Sequence, residues 1–287
     1  MKKFFVLFLI STILISCGAS KDEPSSNASR GRLSGKFSVA PGRQVYFSQG
    51  NLQYQASTNT WRFAEHQYDI IGEMNKWVSK SYSGWIDNFA WGSSGYNDIV
   101  PYPVPNPYYV GEYMFPNFTG FSLTGENAQY DWGVHNRISN GGNKAGLWRT
   151  LTKDEWNYLF NLRMGAKRLC FFTQLFGVYG VILLPDDWAS VTYYSENIVD
   201  LTLSEWQMFE GAGAAFIPCA GNTSYYMTSY GYATTSYATK AGFYWTSSSD
   251  NWNGNGCYMY FYPYSSSNIN FNTGSNRLSV RLVQDVK

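Results

Sequence analysis

Apolar and polar positions alternate most regularly near the end of the chain, in two short stretches. In CYMYFYPY, Met259 and Phe261 alternate with tyrosines, and in NINFN, Ile269 and Phe271 alternate with asparagines. Because successive side chains of a β-strand point to opposite faces, each stretch is predicted to be a strand with one apolar and one polar face. The intervening PYSSS can turn the chain, so the two strands are predicted to form an antiparallel pair.

Further short strands are predicted along the rest of the chain. Alternating positions at Val45–Phe47 are followed by Leu52–Tyr54 and, after the polar turn STNT, by Trp61–Phe63, which is a hairpin pattern. Four turn-bounded apolar runs have the length of buried strands: Val181–Leu184, Ala215–Pro218, Phe243–Thr246 and Val280–Val283.

Two helices are predicted from their first residues. Thr152 is followed three positions later by Glu155, and Thr202 by Glu205, so both segments begin with a capping box. After the first box, apolar residues recur at helical spacing, at Trp156, Leu159, Phe160 and Met164. The second helix is predicted to end at Gly211. The shared LTxxEW indicates two similarly capped helices rather than a repeat, because the flanking residues differ.

The region from Gly84 to Gly142 is rich in Gly, Pro, Asn, Trp and Tyr and has no periodicity. It is predicted to form loops that aromatic side chains hold against the body of the domain. Two helices, many short strands and long irregular loops predict an α+β fold. Since no break in composition divides the chain, residues 35–287 are predicted to be a single domain.

The first residues predict export from the cytoplasm. Two lysines precede an apolar run from Phe4 to Ile15, which is too short to span a bilayer as a stable helix, and Ser16 and Cys17 follow. The sequence Leu-Ile-Ser-Cys resembles the lipobox of bacterial lipoproteins. The resemblance implies that residues 1–17 are a signal peptide ending at the lipidated Cys17, and that several acyl chains anchor the protein stably.

Residues 18–34 are small, polar and without pattern, so they are predicted to be a flexible tether. Within it, Lys-Asp-Glu at positions 21–23 resembles the acidic signal of lipoproteins from Bacteroidetes-like bacteria. This resemblance implies display on the outer face of the outer membrane.

Composition narrows the class of function. The net charge is +1 with no run of like charge, so nothing in the sequence indicates the basic face that binding of nucleic acid needs. There are 24 tyrosines among 287 residues, so some of them are expected at the surface. Besides Cys17, only Cys170, Cys219 and Cys257 remain, an odd number without CxxC spacing. At most one disulfide and no metal cluster are expected, and Cys170 and Cys219 are predicted to be buried thiols.

Four motifs in order resemble one known group of proteins. WRTLTKDEW, AAFIPCAG, FYWTSSS and the terminal SVRLV are similar to motifs in the C-type-lectin-like fold of the formylglycine-generating-enzyme, or sulfatase-modifying-factor-like, and major-paralogous-domain group. The resemblance covers roughly the second half of the chain and implies a C-type-lectin-like domain. NLQYQASTNTWRF resembles the amino-terminal part of paralogous Bacteroides-type surface proteins.

The segment from Ser247 to Asn276 has a narrow composition, with seven Ser, seven Asn, four Tyr and only one charged residue, Asp250. It resembles the variable region of proteins diversified by retroelements, which copy a template into the gene and randomise its adenines. Asn codons are the usual targets of such systems. The resemblance implies a variable, receptor-like protein.

The residue types themselves also favour a binding surface. Tyrosine gives a large amphipathic contact with little rotamer entropy to lose, while Ser and Asn adapt their hydrogen bonds, as in antibody loops. The predicted ligand-binding residues are Asn251, Asn253, Asn255, Tyr258, Tyr260, Tyr262, Tyr264, Asn268, Asn270, Asn272 and Asn276, with Ser249 and Asp250 at the rim. The Tyr-rich stretch 222–242 is either a second loop of this surface or a packing loop.

Several alternatives remain open from sequence. The Ser- and Asn-rich segment could be a solvated edge hairpin, and the protein could be an adhesin or fimbrial-tip subunit of fixed specificity that binds a protein or a glycan.

Catalysis is the disfavoured alternative. Oxidase chemistry of the formylglycine-generating type relies on two close C-terminal cysteines, and only Cys257 lies in that region. His66 and His135 are each expected to be structural. Asp186 and Asp187 either cap a turn or bind Ca²⁺, and capping is favoured. Since no GxSxG, HExxH or phosphate-cradling Gly loop is present, a non-enzymatic protein without a cofactor is predicted.

Overall fold

The computed structural model describes residues 30–76, 79–102, 104–105, 113–114, 122–189, 199–228, 231–236, 241–249, 256–262, 270–274 and 276–287. Within these residues the strands are β1 (Phe37–Ala40), β2 (Arg43–Phe47), β3 (Leu52–Gln55), β4 (Thr60–Phe63), β5 (Val104–Pro105), β6 (Tyr113–Met114), β7 (Arg149–Thr150), β8 (Cys170–Leu175), β9 (Val178–Leu183), β10 (Val199–Leu201), β11 (Ala215–Pro218), β12 (Asn222–Thr228), β13 (Gly231–Ser236), β14 (Gly242–Ser249), β15 (Gly256–Phe261), β16 (Asn270–Gly274), β17 (Arg277–Leu278) and β18 (Leu282–Asp285). The α-helices are α1 (Trp132–His135), α2 (Lys153–Asn157) and α3 (Leu203–Gly211). Single 3-10 turns lie at Ala56–Thr58, Gly72–Lys76, Tyr96–Asp98, Gly125–Tyr130 and Ala166–Arg168.

The strands form small, separate sheets. Their orders are β1-β2-β18-β7, β10-β8-β9-β11, β13-β12-β17 and β14-β15-β16, with the pairs β3-β4 and β5-β6. Only β10 and β8 pair in parallel among the described strands. The described chain is therefore mixed α and β, mostly short antiparallel strands with few helices, which agrees with the predicted class at this coarse level.

Both predicted capping boxes are present. Thr152 Oγ1 accepts a hydrogen bond from the Glu155 backbone at 3.1 Å, and Glu155 accepts one from the Thr152 backbone at 2.9 Å. Thr202 and Glu205 repeat the arrangement at the start of α3, which ends at Gly211 as predicted. Beyond α2 the chain continues as a π-helical turn, Tyr158–Leu162, and the four-residue α1 was not predicted.

The predicted hairpin over residues 52–63 is confirmed, with β3 and β4 antiparallel. The predicted strand Val280–Val283 is displaced, because the chain passes from one sheet to another between β17 and β18. There Ser279 bonds to β14 instead, accepting from the Trp245 backbone at 3.0 Å and donating to the Phe243 carbonyl at 3.2 Å. The strand proper begins at Leu282.

Three apolar clusters form the core. The first joins α2 to the sheets on either side of it, and its members include Phe37, Phe47, Trp156, Val181 and Met259. The second consists largely of aromatic residues, among them Trp61, Phe89, Trp132, Trp148 and Trp245. The third packs α3 on β9 and β11 through Ile182, Trp206, Phe209 and Phe216. The buried Phe89 and Trp132 support the prediction that aromatic residues hold the described parts of the region 84–142 against the domain. The prediction of loops alone is corrected where β5 and β6 pair.

The predicted end of the tether and the predicted loop at 222–242 both need correction. Residues at the end of the predicted tether already bond to the domain, since the Leu33 N–H donates to the Phe47 carbonyl at 2.9 Å and the Gln49 N–H to the Gly31 carbonyl at 2.7 Å. The stretch 222–242 was expected to be a loop, but β12 and β13 form a hairpin there, and β12 also pairs with β17. Backbone pairing, not an open loop, therefore organises that part of the chain.

Candidate functional site

The three-stranded sheet β14-β15-β16 contains the candidate binding segment. Both of its pairs are antiparallel, with Tyr244 opposite Met259 on β14 and β15, and Met259 opposite Phe271 on β15 and β16. The predicted antiparallel pairing of the two alternating stretches is thus confirmed. Since side chains alternate along each strand, these opposed positions share one face of the sheet.

That face is part of the first core cluster. Tyr244, Met259 and Phe261 are completely buried, and Phe271 is half-buried against them. The rings of Tyr244 and Phe261 stack with centroids 6.3 Å apart. A side chain at Gly242 would collide with the Phe261 ring, so glycine is needed at that point of β14. The prediction that Met259, Phe261 and Phe271 hold the scaffold is supported; Ile269 lies outside the described residues.

The opposite face carries a row of five rings, which we term the aromatic row: Trp245, Tyr258, Phe243, Tyr260 and Tyr262. Trp245 and Tyr258 meet edge to face at 5.9 Å, and Tyr260 and Tyr262 do so at 5.8 Å. Phe243 contacts three of the tyrosines, at 6.1–6.3 Å. Such edge-to-face and offset contacts stabilise aromatic pairs beyond the area they bury.

Burial decreases along the aromatic row. Trp245 is fully buried, Tyr258 is 9% exposed, Tyr260 is half-buried and Tyr262 is 46% exposed. The prediction that Tyr258 faces solvent is therefore wrong. The second apolar cluster covers the polar face of the sheet at Tyr258. The alternation of apolar and polar residues in the sequence could not reveal this cover. Only Tyr262, with part of Tyr260, offers an open aromatic surface among the described tyrosines of the segment.

The other predicted site residues are only partly described. Ser249 is half-buried and its backbone N–H donates to Ser122 Oγ at 3.2 Å, while Asn276 is half-buried. Asn270 and Asn272 are in β16, at the register positions opposite Tyr260 and Tyr258, and only their backbone is described. Asp250, Asn251, Asn253, Asn255, Tyr264, Asn268 and the predicted lipidation residue Cys17 lie outside the described residues.

The end of β14, where the segment begins, is held from three sides. The Lys153 N–H at the start of α2 donates to Ser248 Oγ at 3.0 Å. The Leu123 N–H donates to the Ser247 carbonyl at 2.7 Å, and the Trp91 indole donates to the Thr246 carbonyl at 2.8 Å. The segment therefore starts from a fixed strand end.

A buried polar centre beneath the sheet was missed by the sequence analysis. The Tyr244 hydroxyl donates to the Pro218 carbonyl at 2.6 Å and accepts from Asn51 Nδ2 at 3.1 Å. Arg281, fully buried, donates to Gln67 Oε1 at 3.0 Å. Burial raises the pKa of Tyr244 and lowers that of Arg281 to about 10. The only sequence signal was a lone Arg inside the apolar run SVRLV.

Asp87 is a second buried charge that sequence reasoning did not identify. Its carboxylate accepts from Asn75 Nδ2 at 2.7 Å and from the Ile71 N–H at 3.0 Å. Asn88 Nδ2 in turn donates to Ser279 Oγ at 3.1 Å. Burial raises the pKa of Asp87 to about 6, although its hydrogen bonds act in the opposite direction. This network ties residues 71–88 to Ser279, whose backbone is bonded to β14.

Candidate catalytic and metal-binding residues are dispersed. His66 is exposed beside Asp69, and His135 is half-buried near Gln129 at 3.2 Å. Asp186 accepts from Ser38, Gln44 and Arg163 at 2.7–3.0 Å, which gives it a structural role. Within the described residues, no three His, Cys, Asp or Glu side chains are grouped so as to hold a metal ion.

The described cysteines are not joined by disulfides. Cys219 is fully buried and Cys257 is 6% exposed, while Cys170 is half-buried, so the prediction of buried thiols holds fully for Cys219 and in part for Cys170. Burial raises the pKa of both Cys170 and Cys219 to about 12, so these thiols are not activated nucleophiles.

A cleft of about 630 Å³ lies beside α2. Ion pairs occupy its charged wall: Glu155 accepts from Arg43 at 2.7 Å and from Arg149 at 2.8 Å, and Arg149 also bonds Asp285 at 2.7 Å. Because these charges pair with one another, they hold α2 against the β1-β2-β18-β7 sheet.

Comparison with protein-family models, with curated proteins and with solved structures gives no match for this chain. Among the described residues, none of the helices has the length and apolar character needed to cross a membrane. The site is therefore interpreted from its own geometry.

Proposed function

We propose that the protein is a non-enzymatic binding protein, anchored by lipid at Cys17 and displayed on the outer membrane. Its ligand-binding surface is the segment 247–276, on a C-type-lectin-like domain. The ligand is a protein or a glycan at the cell surface, and no cofactor takes part. The segment resembles the variable regions of retroelement-diversified proteins, so we propose that sequence variation in it gives different ligand specificities.

One observation carries this proposal: the two faces of β15 have different environments. Met259 and Phe261 are fully buried on one face, while the aromatic row on the other ends at the 46% exposed Tyr262. A strand locked into the core on one side can present the adjoining residues in a fixed arrangement. Such preorganisation lowers the entropic cost of binding.

The composition of the segment supports the same function. Its neutral Tyr, Asn and Ser side chains combine contact area with adaptable hydrogen bonds. Tyr262 supplies an exposed ring, and its contacts with Phe243 and Tyr260 restrict its orientation. Aromatic anchors of this kind commonly provide most of the binding energy of an interface.

A displayed library tests the proposal and does not require the ligand to be identified. One library randomises Asn251, Asn253, Asn255 and Asn268; a matched library randomises Met259, Phe261 and Phe271. We expect most members of the first library to resist protease like the parent, and selection against unrelated proteins to yield specific binders. The second library should lose protease resistance. Loss of folding in the first library, or failure to select any binder from it, would contradict the proposal.

The gene neighbourhood separates the diversified receptor from an adhesin of fixed specificity. A reverse-transcriptase gene and a near-copy of codons 247–276, differing only at template adenines, are expected beside the gene. If both are missing while the first library still yields binders, the fixed adhesin or glycan-binding protein becomes the better assignment.

A further inference from the structure

A second exposed aromatic group, outside the C-terminal segment, lies where residues 64–70 meet the hairpin of β8 and β9. We term it the aromatic platform, and it consists of His66, Tyr68 and Phe176. The rings of His66 and Tyr68 stack with centroids 5.1 Å apart and planes at 13°. Phe176 meets Tyr68 edge to face at 4.8 Å. Phe176 is 48% exposed, so the platform presents ring surface to solvent.

The platform is held in place from below by the buried side chain of Gln67. Its Oε1 accepts from the Phe216 N–H at 2.8 Å and from Arg281 at 3.0 Å, and its Nε2 donates to the Ala214 carbonyl at 3.1 Å. Gln67 is buried, while the residues on either side of it are exposed at His66 and half-buried at Tyr68. The stack is therefore preorganised rather than assembled on contact with a partner.

Phe176 occupies a position where a large apolar residue is unusual. It follows β8 directly, and with Gly177 it forms the two-residue turn into β9. Both residues have positive φ, 50° and 83°. That backbone geometry favours Asn-Gly in two-residue hairpins, while bulky side chains are strained there. An exposed Phe in this conformation contributes nothing that the turn itself requires.

Carboxylates surround the platform. The His66 N–H and ring both lie within hydrogen-bond distance of Asp69, at 2.8 and 3.3 Å. Glu210 of α3 accepts from Gln67 Nε2 at 3.2 Å. Partial burial raises the pKa of Tyr68, and the charges of Asp69, Glu210 and Glu65 raise it further.

We propose that the aromatic platform binds an arginine side chain presented by a partner protein. A planar guanidinium can stack on an aromatic ring while its N–H groups bond carboxylates, and it sheds its hydration more readily than an ammonium. Exposed rings with the Asp69 carboxylate beside His66, and with Glu210 bonded to Gln67, match both requirements. The platform shares no residue with the segment 247–276, and its test does not depend on the function proposed above.

Saturation-transfer NMR on the purified full chain provides the test, with three small compounds as probes. Acetyl-arginine amide represents the proposed side chain. Acetyl-citrulline amide is its neutral isostere, and methyl β-glucopyranoside represents a saccharide that stacks on the same rings. We expect transfer to the arginine compound at least about fivefold stronger than to citrulline, with a decrease as salt is raised, since exposed charges are screened.

The variant Phe176→Asn distinguishes binding from folding. It installs the Asn-Gly pair that the turn favours, so the melting temperature should stay the same or rise. Transfer to acetyl-arginine amide should nevertheless fall at least about fivefold, because the ring is gone. Glu65→Gln, which alters charge but no ring, should weaken transfer to the arginine compound and leave that to citrulline unchanged.

Each contrary result overturns the proposal. Equal saturation transfer to the arginine and citrulline compounds would show that the charge of the guanidinium does not contribute to binding. Stronger transfer to the glucoside assigns the platform to saccharides instead. If saturation transfer to acetyl-arginine amide is undiminished in Phe176→Asn, the compound does not bind at the platform. If the parent protein shows no transfer to this compound, the platform does not bind arginine.

Discussion

The ring of Tyr260 on β15 lies almost parallel to the ring of Phe243 on β14, with centroids 6.3 Å apart and planes at 21°. The two residues are directly opposite each other in the strand register. Tyr262, which follows the last residue of β15, meets the same Phe243 ring edge to face at 6.1 Å. Phe243 therefore links the buried and exposed parts of the aromatic row, and a ligand on Tyr262 would rest on rings anchored in the core.

Alanine replacements along the aromatic row should show a gradient in stability. Tyr258→Ala removes a ring that is 9% exposed and should cost about 3–5 kcal/mol of unfolding free energy, as for other buried aromatics. Tyr262→Ala should stay within about 1 kcal/mol, and Tyr260→Ala should fall between the two. Urea denaturation of the three variants measures these differences.

The same three variants separate stability from binding. If Tyr260 and Tyr262 belong to the binding surface, their replacement should abolish binding of a partner while the fold persists. A loss of stability at Tyr260 as large as that at Tyr258 would count against its assignment to that surface.

Replacing the inward residues should instead unfold the region. Met259→Ala leaves a cavity in the first core cluster and should cost about 2–5 kcal/mol. Met259→Leu keeps the volume and should cost less than about 1.5 kcal/mol. The pair is compared by thermal denaturation together with protease sensitivity of the segment 247–276. Equal stability of the two variants would show that this face is not packed as described.

Local patterns predicted much of the scaffold. The two capping boxes at Thr152 and Thr202 were predictable because their bonds join residues three positions apart. The alternation about Met259 correctly divided β15 into two faces. What alternation cannot show is whether a polar face is covered by another part of the chain, and Tyr258 is covered by the second apolar cluster.

The buried polar centre was not predictable for a similar reason. Asn51 and Tyr244 are 193 positions apart in the chain and meet only in the folded protein. Arg281 bonds Gln67 across a comparable separation, 214 positions. The sequence shows that a polar residue lies among apolar ones, but its hydrogen-bond partners depend on how the small sheets pack against one another.

The proposed anchor is tested by Cys17→Ser. In a bacterial host that processes lipoproteins, the parent chain should incorporate labelled fatty acid and fractionate with the outer membrane. The variant should incorporate none, because a serine offers no thiol for acylation. Cys170→Ser is the matched control and should be labelled like the parent. Labelling of Cys17→Ser, or none in the parent, would contradict lipidation at Cys17.

Asp87 should make the protein less stable as pH rises from about 4 to 6. Burial raises its folded-state pKa to about 6 from an ordinary value of 3.8. In that interval the folded chain binds more protons than the unfolded chain, so unfolding free energy decreases with increasing pH. The contribution is at most roughly 3 kcal/mol, since one pKa unit corresponds to about 1.36 kcal/mol.

Comparison with Asp87→Asn isolates this contribution from those of other carboxyl groups. Burial also raises the pKa of Asp131, so this group too makes the protein less stable as pH rises. Hydrogen bonds from Arg149 lower the pKa of Asp285, and the stability that this gives is lost only as pH falls below about 4. Both groups remain in the variant, so they cancel from the difference. Urea denaturation should show the parent losing stability relative to Asp87→Asn between about pH 4 and pH 7. A difference that stays constant over this interval would mean that Asp87 titrates alike in the folded and unfolded chains, and that its hydrogen bonds from Asn75 and Ile71 fully offset its burial.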